Sequence, residues 1–456
     1  MFCNYFFNRV IEAFSEVLQK KGVKTIKHAY NSFIFLLVII ISQHLGVFAL
    51  EPEDFLAPSV GPVVILPKAS LSISYDDNVF LGTDKSTKVD DYITNLSTGI
   101  GLQYGQNILD SNYIRIDYSP SLLFYSENNE LNTDNHLLNF SINYQKEGKF
   151  VFTGGDRIRL QNTLLRGREN SFFSALVGGQ KETQGLLVER LSTQDQYKFE
   201  YTISPKTSVY ISTSADMLDF QEEPHYYYKN VFGELVPYSL FDISNWGNTM
   251  GFGWQALPKI KFYGSLFYGN TNVESNLERM GDRPDSDFFG GHISANGKFS
   301  EKLTGRVQFG YQTRSFDELY NGMGGGSHSL PIFEAEVDYD YSEKGLIAIS
   351  YTRGGNVAIE NPNSAIESDF LSLSLDQDLG DNGKLNLGLN TTFQLDRYQT
   401  QNDLEYKFLR VSTQLTYGFN QWLKSMLTYD FELFDSQDGN IDYKVNRVML
   451  GLSVGY

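Results

Sequence analysis

The sequence predicts an all-β protein, a transmembrane antiparallel β-barrel of about 18 strands (16 to 18), with short periplasmic turns and longer extracellular loops. Three observations predict it. Polar and apolar residues alternate along most of the chain up to its last residue, two kinds of connection follow each other in turn, and the single long apolar run lies near the N-terminus.

Alternation identifies the strands. In QYKFEYTIS (196–204), Tyr197, Phe199 and Tyr201 mark one face, and the residues between them are polar. A period of two residues is typical of a strand with one face in an apolar medium. Several such segments reach about 15 residues, which suits a tilted membrane crossing better than the blades of a soluble propeller.

The connections predict the topology. Short turns at 146–149, 204–207, 257–260, 300–303, 342–345, 379–384 and 419–422 alternate with longer acidic, Asn-rich or Gly-rich loops. This asymmetry is typical of outer-membrane barrels, and an even strand number places both chain ends on the periplasmic side.

The N-terminus differs from the rest of the chain. Lysines at 20, 21, 24 and 27 precede the apolar run 33–41, and small residues follow near Ala49. This pattern predicts a signal peptide over 1–49 that is cleaved near Ala49, because the run is too short for a membrane helix. We expect residues 50–68 to be a lead-in or small plug, and 69–456 to be the outer-membrane barrel.

Composition excludes several functions. Lysine and arginine number 37 against 55 acidic residues, a formal charge of -18, which argues against a nucleic-acid partner. The one cysteine, Cys3, and six scattered histidines offer no cluster with metal-ligand spacing. We therefore expect no metal, no cofactor and no enzymatic activity.

The C-terminus is apolar at alternate positions and ends on an aromatic residue: Val448, Leu450, Leu452, Val454 and Tyr456. This pattern resembles the C-terminal signature of outer-membrane proteins. The resemblance implies that the barrel-assembly machinery reads these residues, and that the protein resides in the outer membrane of a Gram-negative bacterium.

A second resemblance covers the start of the barrel. The segment 60–82, with Tyr75, Asp76, Asp77 and Asn78, and the turn at 204–207 resemble the family named Putative beta-barrel porin 2. Members are described as porin-like, and some accompany exopolysaccharide export systems. The resemblance implies a channel without naming what passes through it.

Charged residues at polar positions of the predicted strands are candidates for lining the pore. Glu334, Glu336, Asp338 and Asp340 form an acidic ladder on one strand, which favours cations at close quarters. The basic candidates are Arg115, Arg157, Arg159, Arg306, Arg314, Arg410 and Arg447. If the two sets face each other, they set a transverse field across the lumen.

One short motif places a histidine and a serine at alternate positions of a strand. His292, Ser294 and Asn296 alternate in GGHISANGKF, which is faintly similar to a motif of outer-membrane phospholipase A. Here the alternation turns His292 and Ser294 away from lipid, and no third catalytic partner is identified. A triad needs three groups within reach, so an enzyme is not expected.

The sequence thus predicts a porin-like channel for passive diffusion of small polar solutes. A conduit for exopolysaccharide export is one alternative, with inward Tyr210, Tyr263 and Phe267 as a hint of it, and a plugged structural or adhesive barrel is another. The longest loop, 162–190, either narrows the pore or packs on the rim or on a neighbouring subunit. The expected partners are outer-membrane lipid and small solutes or saccharides, and the pattern is compatible with a homo-oligomer.

Overall fold

The structure is a computed structural model. It describes residues 57–82, 88–105, 112–146, 148–164, 187–220, 227–229, 235–237, 241–275, 285–317, 326–357, 365–380, 383–398, 405–437 and 442–455. The predicted signal peptide, residues 50–56 of the predicted lead-in, residues 165–186 of the longest loop, and Tyr456 lie outside this set.

Eighteen long strands form the fold, as the sequence predicted. They are β1 (Val63–Asp76), β2 (Asp91–Tyr104), β3 (Tyr113–Tyr125), β4 (Thr133–Lys146), β5 (Phe150–Leu164), β6 (Leu187–Ser204), β7 (Thr207–Phe220), β8 (Phe241–Leu257), β9 (Ile260–Ser275), β10 (Ser286–Lys298), β11 (Leu303–Phe316), β12 (Ser327–Ser342), β13 (Gly345–Val357), β14 (Ala365–Leu379), β15 (Leu385–Tyr398), β16 (Glu405–Gly418), β17 (Leu423–Ser436) and β18 (Tyr443–Gly455).

Short elements accompany them in the described residues. Ser59–Val60 pairs with the start of β1, Tyr227–Lys229 pairs with Leu235–Pro237 between β7 and β8, and Asn129–Leu131 is a 3-10 turn. None of the described helical residues forms a helix long and apolar enough to cross a membrane.

The sheet closes on itself. Each strand pairs antiparallel with the next, and β18 pairs antiparallel with β1. The pairing of β18 with β1 extends from Lys68 opposite Gly455 to Asp76 opposite Arg447. Closure removes both sheet edges, so every strand has a neighbour on each side. The predicted barrel is confirmed, and its last strand pairs with its first.

The first strand begins earlier than expected. It starts at Val63, so the predicted barrel boundary at residue 69 moves to 63. Pro67 interrupts the alternating pattern and cannot donate a backbone hydrogen bond, which obscured the strand in the sequence. Pro67 pairs with Ile100 of β2, one position beyond the pairing with β18.

Connections divide the barrel into two ends. At the short-turn end, hairpins join β4 to β5, β6 to β7, β8 to β9, β10 to β11, β12 to β13, β14 to β15 and β16 to β17; the other end is the loop end. In the first of these turns Gly148 has φ 65°, a left-handed conformation that glycine adopts without strain.

The outer face carries the apolar rows. Leu266, Ile293 and Leu450 are more than 60% exposed and lie at alternate positions of their strands, as do Leu71 and Ile73. Exposed aromatic side chains lie near the short-turn end of this face, at Tyr144, Tyr201, Trp254, Phe262, Tyr339 and Tyr417. An outward apolar band with aromatic borders is what a lipid bilayer requires of a barrel.

Charged residues also occur on the outer face. Arg353, Asp369 and Arg397 form ion pairs there on β13 to β15, and a pair of carboxylates lies on β5 and β6. Asp156 of β5 and Asp195 of β6 face each other in register on the outer face, and the Tyr197 hydroxyl donates a 2.5 Å hydrogen bond to Asp156 Oδ1. On β5 the other outward positions near Asp156 hold Phe152, Gly154 and Ile158, none of which is polar. Sequence reasoning missed this pair.

Candidate functional site

The inner face of the barrel is where polar chemistry collects. Alternation places it opposite the exposed apolar rows, so residues two apart on a strand share it. Every predicted lining residue takes an inward position: Arg115, Arg157, Arg159, Arg306, Arg314, Glu334, Glu336, Asp338, Asp340, Arg410 and Arg447.

Carboxylates concentrate on β12 to β15. Where the structure describes these strands, their inward positions hold carboxylates but no lysine or arginine, and we call the set the acidic wall. Its members are Glu334, Glu336, Asp338, Asp340, Asp376, Asp378 and Asp396.

Sequence reasoning found the first four residues of the acidic wall and missed the other three. Asn386 donates hydrogen bonds to Asp376 and Asp378 at 2.8 and 3.1 Å, and Gln394 and Ser368 donate to Asp396. The alternating DQD of residues 376–378 carries the same signal as the acidic ladder of β12 and could have identified two of them.

Cations concentrate on β5 to β11. The inward positions of these strands hold a set that we call the basic wall: Arg157, Arg159, Arg190, Lys198, Lys261, Lys298, Arg306 and Arg314. Among the described inward residues of these strands, only Glu200 and Asp216 carry a negative charge. In a ring of eighteen strands, β5 lies eight steps from β13 and nine steps, which is directly across, from β14.

The predicted arginines differ in their partners. Arg115 pairs with Asp117 at 2.6 Å, Arg410 with Asp430 at 3.4 Å, and Arg447 with Asp76 at 2.5 Å. These three ion pairs are local, so they add little net field across the lumen.

Two further arginines connect to the walls. Arg306 reaches Glu334 of the acidic wall at 3.6 Å, because β11 and β12 are neighbours. Arg157 forms no ion pair with a carboxylate among the described residues, and its Nε donates to Asn139 Oδ1 at 3.2 Å. The separation of charge therefore depends on whole strands rather than on single pairs.

The motif at residues 75–78 closes the seam at the loop end. Asp76 is 1% exposed and binds Arg447 of β18, and its Oδ1 accepts the backbone N–H of Asn78 at 2.9 Å. Asp77 accepts two hydrogen bonds of 2.7 Å from the backbone and side chain of Asn446. The residues that carried the family resemblance thus join the first strand to the last.

Residues 77–82, which we call the mouth segment, fold toward the inner face. Leu81 is buried in a cluster with Ile366, Tyr406, Phe434, Tyr443 and Val445 from strands β14 and β16 to β18. On the other side, Val79 packs with Ile93 and Leu131. Leu81 has φ 57°, an uncommon conformation for a non-glycine residue, and burial of its side chain offsets the cost.

The mouth segment is thus an inward-folded loop, which was one of the two positions predicted for residues 162–190, the other being packing on the rim or on a neighbouring subunit. Strand β5 ends at Leu164 and strand β6 begins at Leu187, and the loop between them lies outside the described residues. Its two predicted positions, inside the pore or packed on the rim or on a neighbouring subunit, therefore both stay predictions.

His292 and Ser294 lie on the inner face of β10, and Ser294 is 7% exposed. Of the described histidine, cysteine, aspartate and glutamate residues, no three form a group that could hold a metal ion. This part of the wall offers hydrogen bonding and stacking to a solute.

Comparison with known proteins adds the family. The model of the family described as Putative beta-barrel porin 2 matches residues 225–456. The chain belongs to this family. The Putative beta-barrel porin 2 match covers strands β8 to β18, whereas the motif at 75–78 lies outside it.

Solved structures with a similar arrangement are distant. The FrpB iron transporter of Neisseria meningitidis is 9% identical with TM-score 0.44, covering 86% of this chain and 81% of that one. Pseudomonas aeruginosa OpdK with vanillate (8%, TM-score 0.41) covers 86% and 99%, and Acinetobacter baumannii OccAB4 (12%, TM-score 0.39) covers 86% and 98%. No curated protein sequence matches significantly.

Family and strand pairing together identify a porin-like outer-membrane β-barrel. The membership predicted from the sequence is confirmed.

Proposed function

We propose that this protein is a channel for passive diffusion of small polar solutes across the outer membrane of a Gram-negative bacterium. The supporting observation is the separation of the acidic wall from the basic wall. Fixed charges of opposite sign on two sides of a lumen orient dipolar solutes and favour hydrated, polar cargo over apolar cargo. A barrel of this strand number is also wide enough to enclose an aqueous passage.

The remaining parts of the proposal follow from the sequence. A signal peptide is cleaved near Ala49, the barrel-assembly machinery reads the C-terminal strand, and lipid surrounds the outer apolar band. The inner wall acts without covalent chemistry, so we assign no enzymatic activity. Association of several copies is compatible with the outer surface.

Planar-bilayer recording of the purified, folded chain tests the channel. We expect discrete conductance steps that vary linearly with voltage, and no steps from the same preparation after heat denaturation. A folded protein, verified by heat-modifiable gel migration, that produces no conductance would contradict the proposal.

One observation favours a second candidate, a barrel closed at its loop end. The mouth segment places Val79 and Leu81 in two hydrophobic clusters on either side of the barrel seam. Substituting Leu81→Ser should loosen the mouth segment. If conductance appears only in that variant, the closed barrel is the better description of the wild-type protein.

A further inference from the structure

A line of aromatic side chains follows the inner face of the basic wall. We call it the aromatic track, and its members are Tyr210 of β7, Tyr263 and Phe267 of β9, and Phe288 and His292 of β10. All five side chains are half-buried in the described structure. The sequence pointed to three of them, and neighbouring strands supply the other two.

The rings form two closely packed groups along the same strands. Tyr210 and Tyr263 have ring centroids 5.8 Å apart, Phe267 and His292 6.0 Å, and Phe267 and Phe288 6.4 Å. His292 pairs in register with Ser265, which lies between Tyr263 and Phe267, so it fills the gap between the two ends. At about 3.3 Å per residue, the track covers about 20 Å of strand.

Glycines on neighbouring strands let these rings lie against the wall. A Cβ atom at any of four glycines would overlap or crowd a ring of the track. The ring and glycine pairs are Tyr210 with Gly251, Tyr263 with Gly253, Phe267 with Gly290, and Phe288 with Gly269. The four glycines therefore give the rings room to lie close to the backbone of the wall, with Tyr210 and Tyr263 edge to face at 80°.

Polar and cationic groups border the faces. The Lys198 ammonium lies 4.8 Å from the Tyr210 ring centroid and Lys261 lies 5.0 Å from that of Tyr263, and both bind Glu200. The Tyr210 hydroxyl and Ser265 Oγ are 2.5 Å apart. At this end two cations share one carboxylate, which leaves a net positive charge.

The opposite end of the track is also cationic. Arg314 lies 4.7 Å from the Phe288 ring centroid and donates to Thr271 and Ser286 at 2.9 and 2.7 Å. These two partners are hydroxyls, so they do not neutralise the guanidinium. Arg314 is 5% exposed, so it acts on a ligand through its charge rather than by direct contact. Both ends therefore favour an anionic ligand.

We propose that the aromatic track binds linear acidic saccharides, which rests on the proposed channel function. Sugar rings have apolar C–H faces that stack on aromatic faces, and hydroxyls that bond to a polar border. Several rings in a line suit a chain of repeating units better than a single small solute. The lysines and Arg314 attract the carboxylates of a uronic acid chain.

The test uses the full folded chain and hexagalacturonate as the acidic probe, with maltohexaose as the neutral probe. In planar bilayers we expect hexagalacturonate to interrupt the current at concentrations at least about tenfold below those of maltohexaose. Isothermal titration calorimetry on the detergent-solubilised protein measures the same binding without requiring conductance. Hexagalacturonate should bind with measurable heat.

Phe267→Leu removes one ring of the track and keeps an apolar side chain of similar size. We expect it to weaken hexagalacturonate binding about tenfold. The matched control is Phe370→Leu, which removes an inward aromatic side chain on β14 that is 37% exposed and belongs to the acidic side. The control should leave binding unchanged, and both variants should fold, as gel migration verifies.

Equal binding of the two probes, or equal loss in the two variants, would overturn the proposal. A conducting channel that neither probe interrupts, with no calorimetric heat, would overturn it while leaving the channel function intact. Calorimetric binding by a protein that never conducts would support the track and refute the channel.

Discussion

Replacing Asn78 should destabilise the barrel more than its small size suggests. Asn78 is 0% exposed, and its side chain donates to the backbone oxygens of Gly82 and Lys444 at 3.0 and 3.1 Å. Its Oδ1 accepts the Gly82 N–H at 2.7 Å. One amide therefore holds the mouth segment and ties it to the last strand.

The magnitude follows from these three hydrogen bonds. At about 1 kcal/mol for each bond, with more where a buried partner is left without water, Asn78→Ala should lower the free energy of unfolding by about 2 to 4 kcal/mol. Asn78→Asp has nearly the same volume but directs an oxygen at two carbonyl oxygens. It should therefore destabilise the protein at least as much as alanine does.

Equilibrium urea unfolding in lipid vesicles, followed by tryptophan fluorescence and gel migration, measures these changes. The matched control is Asn129→Ala, an exposed asparagine in the loop between β3 and β4, which should stay within about 0.5 kcal/mol of wild type. If Asn78→Ala costs no more than this control, or Asn78→Asp unfolds like wild type, the three hydrogen bonds do not stabilise the seam as argued.

Three other changes test separate features. Glu334→Gln combined with Asp338→Asn should shift the reversal potential in a salt gradient toward anion preference, whereas neutralising Glu343 in an exposed turn should shift it less; equal shifts would refute a special effect of the acidic wall. Asp156→Val should raise the free energy of unfolding in vesicles by about 1 kcal/mol, because a carboxylate in the apolar band is costly; a fall would mean that another surface covers it. Deleting Tyr456 should reduce the folded, heat-modifiable fraction in cells, and normal assembly would remove the predicted role of the terminal signature.

Much of the fold could be predicted because alternation is local. Whether a residue points inward or outward depends only on its position along one strand, as with Val448, Leu450 and Leu452, whose side chains are about half exposed on the outer face. Turn chemistry is equally local, so the short turns and the strand number followed from the sequence. Where alternation is interrupted, as at Pro67, the boundary was misplaced.

The candidate site was predictable only in part. The inward phase of Glu334 and Arg157 follows from the sequence, but their partners do not. Arg447 pairs with Asp76, 371 positions away in the chain, because the first and last strands meet. The outward Asp156 and Asp195 come together through the register of β5 and β6. Such pairings depend on how far each strand slides against its neighbour.

By itself, the sequence determined which side chains face lipid and which face the lumen, together with the number of crossings. The tertiary structure decided which of those inward side chains meet. It placed Phe267 over Gly290, closed the seam through the hydrogen bonds of Asp77 with Asn446, and buried Leu81 in a hydrophobic cluster. The physical reason is that a two-residue period is a property of each strand alone, whereas register and closure are properties of the whole ring.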